Sequence, residues 1–216
     1  MSIFDNINIP DGISEISIDV GLAADAPHAL QWLEYNPGVF VFGFEPVKSN
    51  CDRVMEKILA RGFENRFKLF HCAVDNVDGE MIKDFYITRN SEVKDDHGQS
   101  SLYKLKHELK ESMWVDEVVP VLCVNLSDLL DRINWNIFKE VSFLKTDTQG
   151  NDLNIIKSLE RYFHKIPRIQ CESHCFGQYQ KESDNPTELF SYLTSKGYDL
   201  RSMDLNSPDH YYTRRQ

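Results

Sequence analysis

Residues Val39–Phe44 read VFVFGF, with Pro37–Gly38 before them and Pro46 after. A nearly continuous apolar run of this length suits a strand buried on both faces, as in parallel sheets covered by helices on each side. The flanking sequence agrees. Upstream, Glu15–Val20 alternates and stops at Gly21, and Asp25–Tyr35 carries Ala26, Ala29, Leu30 and Leu33 at helical spacing, with Pro27 in the first turn. Downstream, Asn50–Arg61 holds Val54, Ile58 and Leu59 on one helical side and stops at Gly62, and Phe67–Val74 is the next strand. Strand, helix, strand, helix, strand is the order of an α/β fold.

The pattern continues. Phe85–Thr88 and Val118–Val124 are further strands, Leu126–Ile133 is a short helix, and Val141–Lys145 is a strand that runs into Asp147. Asp152–Phe163 is amphipathic, Arg168–Cys171 is a short strand, and Pro186–Lys196 is a helix stopped by Gly197. Tyr198–Met203 and His210–Thr213 are expected to pair at the sheet edge. No Pro/Gly/Ser-rich tract and no repeat divides the chain, and 41% hydrophobic residues over 216 positions supply one sizeable core. Residues 1–216 are therefore expected to form one domain. Residues 89–117, the least apolar part, are expected to be an insertion, either a lid or a plain surface loop.

Composition excludes several classes. No apolar run approaches the ~18 residues of a membrane span, and the N-terminus lacks the basic and apolar regions of a signal peptide. Cys51, Cys72, Cys123, Cys171 and Cys175 are odd in number and widely spaced, which argues against a secreted disulfide framework and for a reduced, cytoplasmic setting. With 24 Lys+Arg against 34 Asp+Glu the formal charge is -10, so a broad nucleic-acid footprint is not expected.

In open α/β sheets ligands bind beyond the carboxyl ends of the strands. Three strand ends here are polar: Asp19-Val-Gly21, Glu45-Pro46, and Lys145-Thr-Asp147-Thr-Gln149-Gly150. Gly21 permits a tight turn and close approach of backbone to a ligand, and Ala23, Ala24 and Ala26 keep that approach open. The plainer alternative is a strand–helix turn capped by Asp19. Glu45 adds weight to the ligand reading, because a carboxylate at the end of the second strand can accept both hydroxyls of a ribose. The pair Gly21/Glu45 points to an adenosine cofactor. The absence of G-x-G-x-x-G after the first strand speaks against a nicotinamide cofactor and an NAD-dependent oxidoreductase.

The segments IDVG (Ile18–Gly21), GFEP (Gly43–Pro46), AVDNVDGE (Ala73–Glu80), VNLSDLL (Val124–Leu130), FLKTDTQGNDLNIIKSL (Phe143–Leu159), QCESH (Gln170–His174) and LTSKGYDL (Leu193–Leu200) occur in this order. In these the chain resembles the FkbM-type methyltransferases, an S-adenosylmethionine-dependent family with the class I Rossmann-like fold. The resemblance implies a three-layer α/β sandwich with a mostly parallel seven-stranded sheet and an antiparallel edge strand. It implies that the Asp19–Gly21 turn holds the amino-acid part of S-adenosyl-L-methionine, that Glu45 holds its ribose, and that Ala73 and Asp75 lie beside its adenine. It also implies methylation of a hydroxyl oxygen on a small molecule, such as a sugar or glycosylated metabolite. The loop departs from the family's G-A-N-x-G: it reads Gly21-Leu-Ala-Ala-Asp25, with Asp25 at the second glycine. Asp25 would narrow the loop or place a carboxylate near the cofactor's ammonium.

A hydroxyl acceptor must lose its proton, so a base is expected within hydrogen-bond reach. Asp147, Glu172 and His174 are the candidates on the acceptor side. Histidine has the better intrinsic pKa, and Glu172 would orient it, bind sugar hydroxyls or act itself. For Asp147 the plainer role is to cap the next turn. The same three residues could form a two-acid, one-histidine metal set, though the spacing is not diagnostic, and no metal is assigned. Lys145 is expected to pair with an acid, with its stem buried and its charge outward; Gln149 and Gly150 are expected to shape the turn. A catalytically inactive Rossmann-like binding or scaffold protein is the alternative of a different class. The sequence is also compatible with a homo-oligomer.

Overall fold

The computed structural model describes residues 2–90, 98–106, 113–173, 179–180, 185–203 and 209–215. The chain opens with β1 (Glu15–Val20), α1 (Pro27–Tyr35), β2 (Val39–Phe44), α2 (Lys48–Ala60) and β3 (Phe67–Phe70). Next come β4 (Ala73–Val74), β5 (Met81–Asn90), β6 (Met113–Val124), α3 (Leu126–Leu130), β7 (Val141–Thr146) and α4 (Asp152–Ser158). The last described elements are β8 (Arg168–Glu172), α5 (Pro186–Ser195), β9 (Tyr198–Met203) and β10 (Asp209–Arg214).

Seven strands form one sheet in the order β3-β2-β1-β7-β8-β10-β9. The first five are mutually parallel, and β10 runs antiparallel between β8 and β9. This is the expected mostly parallel seven-stranded sheet, with the β9–β10 pair at its edge. All six residues of β2 are buried. Val39 and Val41 pack with Ala29, Leu30 and Leu33 of α1 and with Val54 and Ile58 of α2. Phe40, Phe42 and Phe44 pack on the other face with the apolar residues of α3, α4 and α5. The VFVFGF run is thus apolar throughout because each parity of side chains meets a different helical layer.

Two strands of the pattern leave the main sheet. β5 and β6 form a long antiparallel hairpin, with β4 added parallel to β6, in a separate three-stranded sheet. The apolar stretch from Phe67 to Val74 therefore divides. Phe67–Phe70 stays beside β2, while Ala73–Val74 crosses to Cys123 and Val124. Arg89, Asn90 and residues 113–117 of the expected insertion lie within the hairpin. Residues 98–106 fold back on it, with Tyr86 and Ser101 exchanging backbone hydrogen bonds of 2.8 and 3.1 Å.

Candidate functional site

A narrow pocket opens at the carboxyl ends of β1, β2 and β7, where the parallel topology places ligands. Its floor is Val20, Gly21, Phe44 and Glu45; Pro46, Cys72, Ala73, Val74 and Phe85 form an apolar wall; Asp147, Thr148, Gln149 and Asn151 close the other side. Ala23 and, from the segment folded on the hairpin, Gly98, Ser100 and Leu102 complete the lining.

The loop after β1 is held by backbone conformations that side chains disfavour. Gly21 has φ +80°, and a Cβ there would lie 1.9 Å from the carbonyl oxygen of Asp147. The loops after β1 and β7 touch at a point that admits only glycine. Ala23 and Ala26 also take positive φ, 50° and 42°. Ala26 stands at the N-cap of α1 and offers no side-chain cap. Asp19 supplies one instead: its Oδ2 accepts from the amide of Ala29 at 3.1 Å. Asp19 is buried and does not line the pocket. Burial raises its pKa, opposed mainly by Lys145.

Glu45 is 4% exposed. Its Oε2 accepts from the amide of Ala23 at 2.9 Å, and its Oε1 from the amide of Val47 at 2.9 Å and the Asn50 amide at 3.3 Å. One carboxylate therefore ties the loop after β1 to the start of α2. Burial pushes its pKa up to about 7, against these donors, which favour the anion. Oε1 already serves two donors, while Oε2, with one, keeps lone-pair capacity for a hydroxyl donor.

Lys145 departs from expectation. Its charge is not outward: the side chain is 5% exposed, and its Nζ donates to the carbonyl of Gly21 at 2.7 Å. The ammonium lies 3.4 Å from Asp19 Oδ1 and 3.5 Å from Asp147 Oδ2. Burial would lower its pKa, but Asp19, Asp147 and Asp152 raise it above the ordinary lysine value. The register pairs Lys145 with Asp19 across the two central strands, which places both on one face. A lysine inside the apolar strand FLKT, opposite IDV, was the available signal.

Gln149 joins two carboxyl groups, those of Asp147 and Glu172. Its Nε2 donates to Asp147 Oδ1 at 2.9 Å and to Glu172 Oε2 at 2.5 Å. Burial acts to raise Asp147, but Lys145 and hydrogen bonds from Glu172 and Gln149 hold it below the ordinary carboxylate range. Glu172 is pushed well above its ordinary value, by burial first and then by Asp147, Asp152 and Asp209. The pair thus divides into an ionised Asp147, which lines the pocket, and a neutral Glu172 behind it.

Of the nine residues the sequence singles out, Gly21, Glu45, Ala73 and Asp147 line the pocket. Asp75 does not; its carboxylate is buried and meets Lys83 at 2.6 Å, the Asn76 amide at 2.7 Å and Asn151 Nδ2 at 3.1 Å. Asp25 is turned away, its side chain 85% exposed and ion-paired with Lys57. His174 lies outside the described residues. Among the described residues no three His, Cys, Asp or Glu side chains are arranged to hold a metal ion. No described helix is long and apolar enough to cross a membrane.

A family model for the methyltransferase FkbM domain matches residues 14–200. The chain belongs to the FkbM methyltransferase family. A similar solved structure is the methyltransferase FkbM from Methylobacillus flagellatus KT, with 15% identity and a TM-score of 0.55 over 94% of this chain and 44% of that one. This member of the family therefore spans less than half the length of that structure. A second is a proposed rRNA methylase from Clostridium thermocellum, with 9% identity and a TM-score of 0.52 over 93% of this chain and 85% of that one. At these identities the likeness establishes a shared Rossmann-like fold. Among curated proteins no sequence match is found.

Proposed function

We propose that this FkbM-family protein transfers the methyl group of S-adenosylmethionine to a hydroxyl oxygen of a small, uncharged acceptor such as a sugar. The observation that carries the reading is the placement of two carboxylates on one narrow pocket, Glu45 beside an apolar wall and Asp147 across from it. The lining fits an adenosyl group. Phe44, Pro46, Ala73, Val74 and Phe85 offer apolar surface to a base, and Glu45 offers an acceptor to ribose hydroxyls. The loop Gly21–Ala26 would hold the amino-acid end, with Asp19 fixing that loop from below.

When bound, the cofactor supplies an electrophilic methyl group on a sulfonium. The protein's residues do the rest. Asp147, kept ionised by Lys145, accepts the hydrogen bond of the acceptor hydroxyl and takes its proton as the oxygen–methyl bond forms. Glu172, neutral and joined to Asp147 through Gln149, keeps a second negative charge away from it. Residues 98–106, within the expected insertion, exclude water. The only titratable groups lining the pocket among the described residues are acids and Cys72, which supports an uncharged acceptor over nucleic acid. Four described cysteines, Cys51, Cys72, Cys123 and Cys171, are buried and outside any disulfide, in keeping with a cytoplasmic setting.

The test is calorimetric titration with S-adenosylmethionine, S-adenosylhomocysteine and NAD, for wild type and Glu45→Ala, followed by transfer of a labelled methyl group to a panel of sugars. Binding of the adenosyl ligands that is lost in the variant, no binding of NAD, and label in a sugar are the expected results. Binding without transfer to any hydroxyl acceptor would favour an inactive binding protein. Transfer to RNA alone would overturn the acceptor class.

A further inference from the structure

The described residues of the insertion meet the chain after β7 at Gln149 and, through Tyr103, at Asn151 and Asn154. Gln149 has φ +56° without being glycine, and its side chain is buried. Its backbone carbonyl accepts from Ser101 Oγ at 2.7 Å. Its amide oxygen lies 3.1 Å from the Tyr179 hydroxyl, which is also 2.8 Å from the carbonyl of Gln99. Tyr179 is fastened to the same segment, since Gln180 donates its amide to the carbonyl of Lys104 at 2.7 Å. On the other side, the amide nitrogen serves Asp147 and Glu172. The orientation of this amide is determined by its surroundings. Two carboxyl groups need the nitrogen, which leaves the oxygen facing the Tyr179 hydroxyl, whose single proton is shared between it and the Gln99 carbonyl.

We propose that Gln149 is a positioning residue that aims Asp147 at the acceptor, and that it does so only while residues 98–106 and Tyr179 are seated on it. The proposal rests on the reading of Asp147 as the acceptor-side carboxylate. Turning the amide over would set its oxygen against two carboxyl groups and its nitrogen against the Tyr179 hydroxyl, so the contacts of Gln149 with Tyr179 and with Asp147 change together. The left-handed backbone at Gln149 keeps the carbonyl on Ser101 and the side chain on Asp147 at once. A non-glycine residue holds that conformation only when its surroundings over-determine it. Seating of the segment over the pocket and placement of the proton acceptor thereby become one event. An open pocket would hold a poorly aimed Asp147, which restricts the chemistry to the covered state.

The test uses the full chain without ligand, in wild type, Gln149→Met and Tyr179→Phe. The titration of Asp147 is followed by carbon-13 carboxyl NMR, and segment 98–106 by amide hydrogen exchange. Loss of a donor to the ionised carboxylate disfavours the charged form, so the Asp147 midpoint should rise by ~1 pH unit in Gln149→Met and by ~0.5 unit in Tyr179→Phe. Exchange of the Ser101 amide, which donates to the Tyr86 carbonyl at 3.1 Å, should accelerate at least ~10-fold in Gln149→Met, since the segment loses the side-chain tie to Tyr179 and opens more often. A purely structural role would lower stability without moving the Asp147 midpoint. Midpoints equal to wild type in both variants overturn the proposal, as does unchanged Ser101 exchange. If Gln149→Met does not fold, Tyr179→Phe carries the test, with both readouts required to move. Neither readout needs turnover, so failure of methyl transfer in wild type would count against the function and leave this coupling to be judged separately.

Discussion

Glu45 should make the binding of an adenosyl ligand depend on pH. Its carboxyl is buried at the end of β2, and burial raises its pKa to about 7. Ribose hydroxyls donate hydrogen bonds, so the ligand selects the ionised form. With a midpoint near 7, the ionised fraction is about 0.09 at pH 6 and about 0.91 at pH 8. The Kd for S-adenosylhomocysteine should therefore fall ~10-fold over that interval, or ~1.4 kcal/mol. Stability of the free protein moves the other way. The folded pKa lies above the ordinary 4.5, so between that value and about 7 the folded state binds more protons than the unfolded one. This group's contribution to stability thus declines as pH rises through that window, by on the order of 3 kcal/mol. Glu45→Gln cannot ionise, so it should bind weakly at every pH and lose the slope. Calorimetry at pH 6, 7 and 8 on both proteins decides it, since the ligand's own ionisations are common to both. A flat wild-type profile, or an equal slope in Glu45→Gln, would refute the reasoning.

Gly21→Ala should destabilise the fold by at least ~3 kcal/mol, read as the shift in a urea melt, because it combines a left-handed backbone with a Cβ inside the Asp147 carbonyl. A change below ~1 kcal/mol would mean that the β1 and β7 loops separate easily. Lys145→Met should remove ~3–5 kcal/mol at pH 7 by leaving Asp19 and Asp147 without their cation. The loss should shrink in acid as those carboxyls take up protons, and an equal loss at pH 4 and pH 7 would count against the ion-pair account.

The sheet was legible where strand burial has a simple cause. Val39–Phe44 meets a helical layer on each face, and its run of apolar residues states that directly. Periodicity does not name a strand's neighbour, however. Val118–Val124 has the composition of a core strand, yet it pairs with Met81–Asn90 in a second sheet. The positions directly after buried strands were legible as pocket lining at Gly21, Glu45 and Asp147. Lys145 and Gln149 were not. The burial of one depends on cross-strand register with Asp19, and the role of the other depends on a left-handed turn and on contacts 30 and 48 positions away in the chain. Asp25 shows the converse. It follows the turn after β1 in sequence, but the backbone of the loop turns its side chain to solvent.

The position of β10 has a consequence for synthesis. The last described strand to leave the ribosome is not the outermost one: Asp209–Arg214 inserts between β8 and β9. Until it does, β8 presents an unpaired edge, and Tyr198–Met203 has no place in the sheet. The same strand brings Asp209, which takes the amide of Gln170 at 3.0 Å and adds its charge to the surroundings of Glu172. A nascent chain can therefore hold every residue that lines the pocket while the surroundings of Glu172 still wait for β10. A chain nicked before Asp209 would keep the pocket's lining residues and lose part of what holds Glu172 neutral.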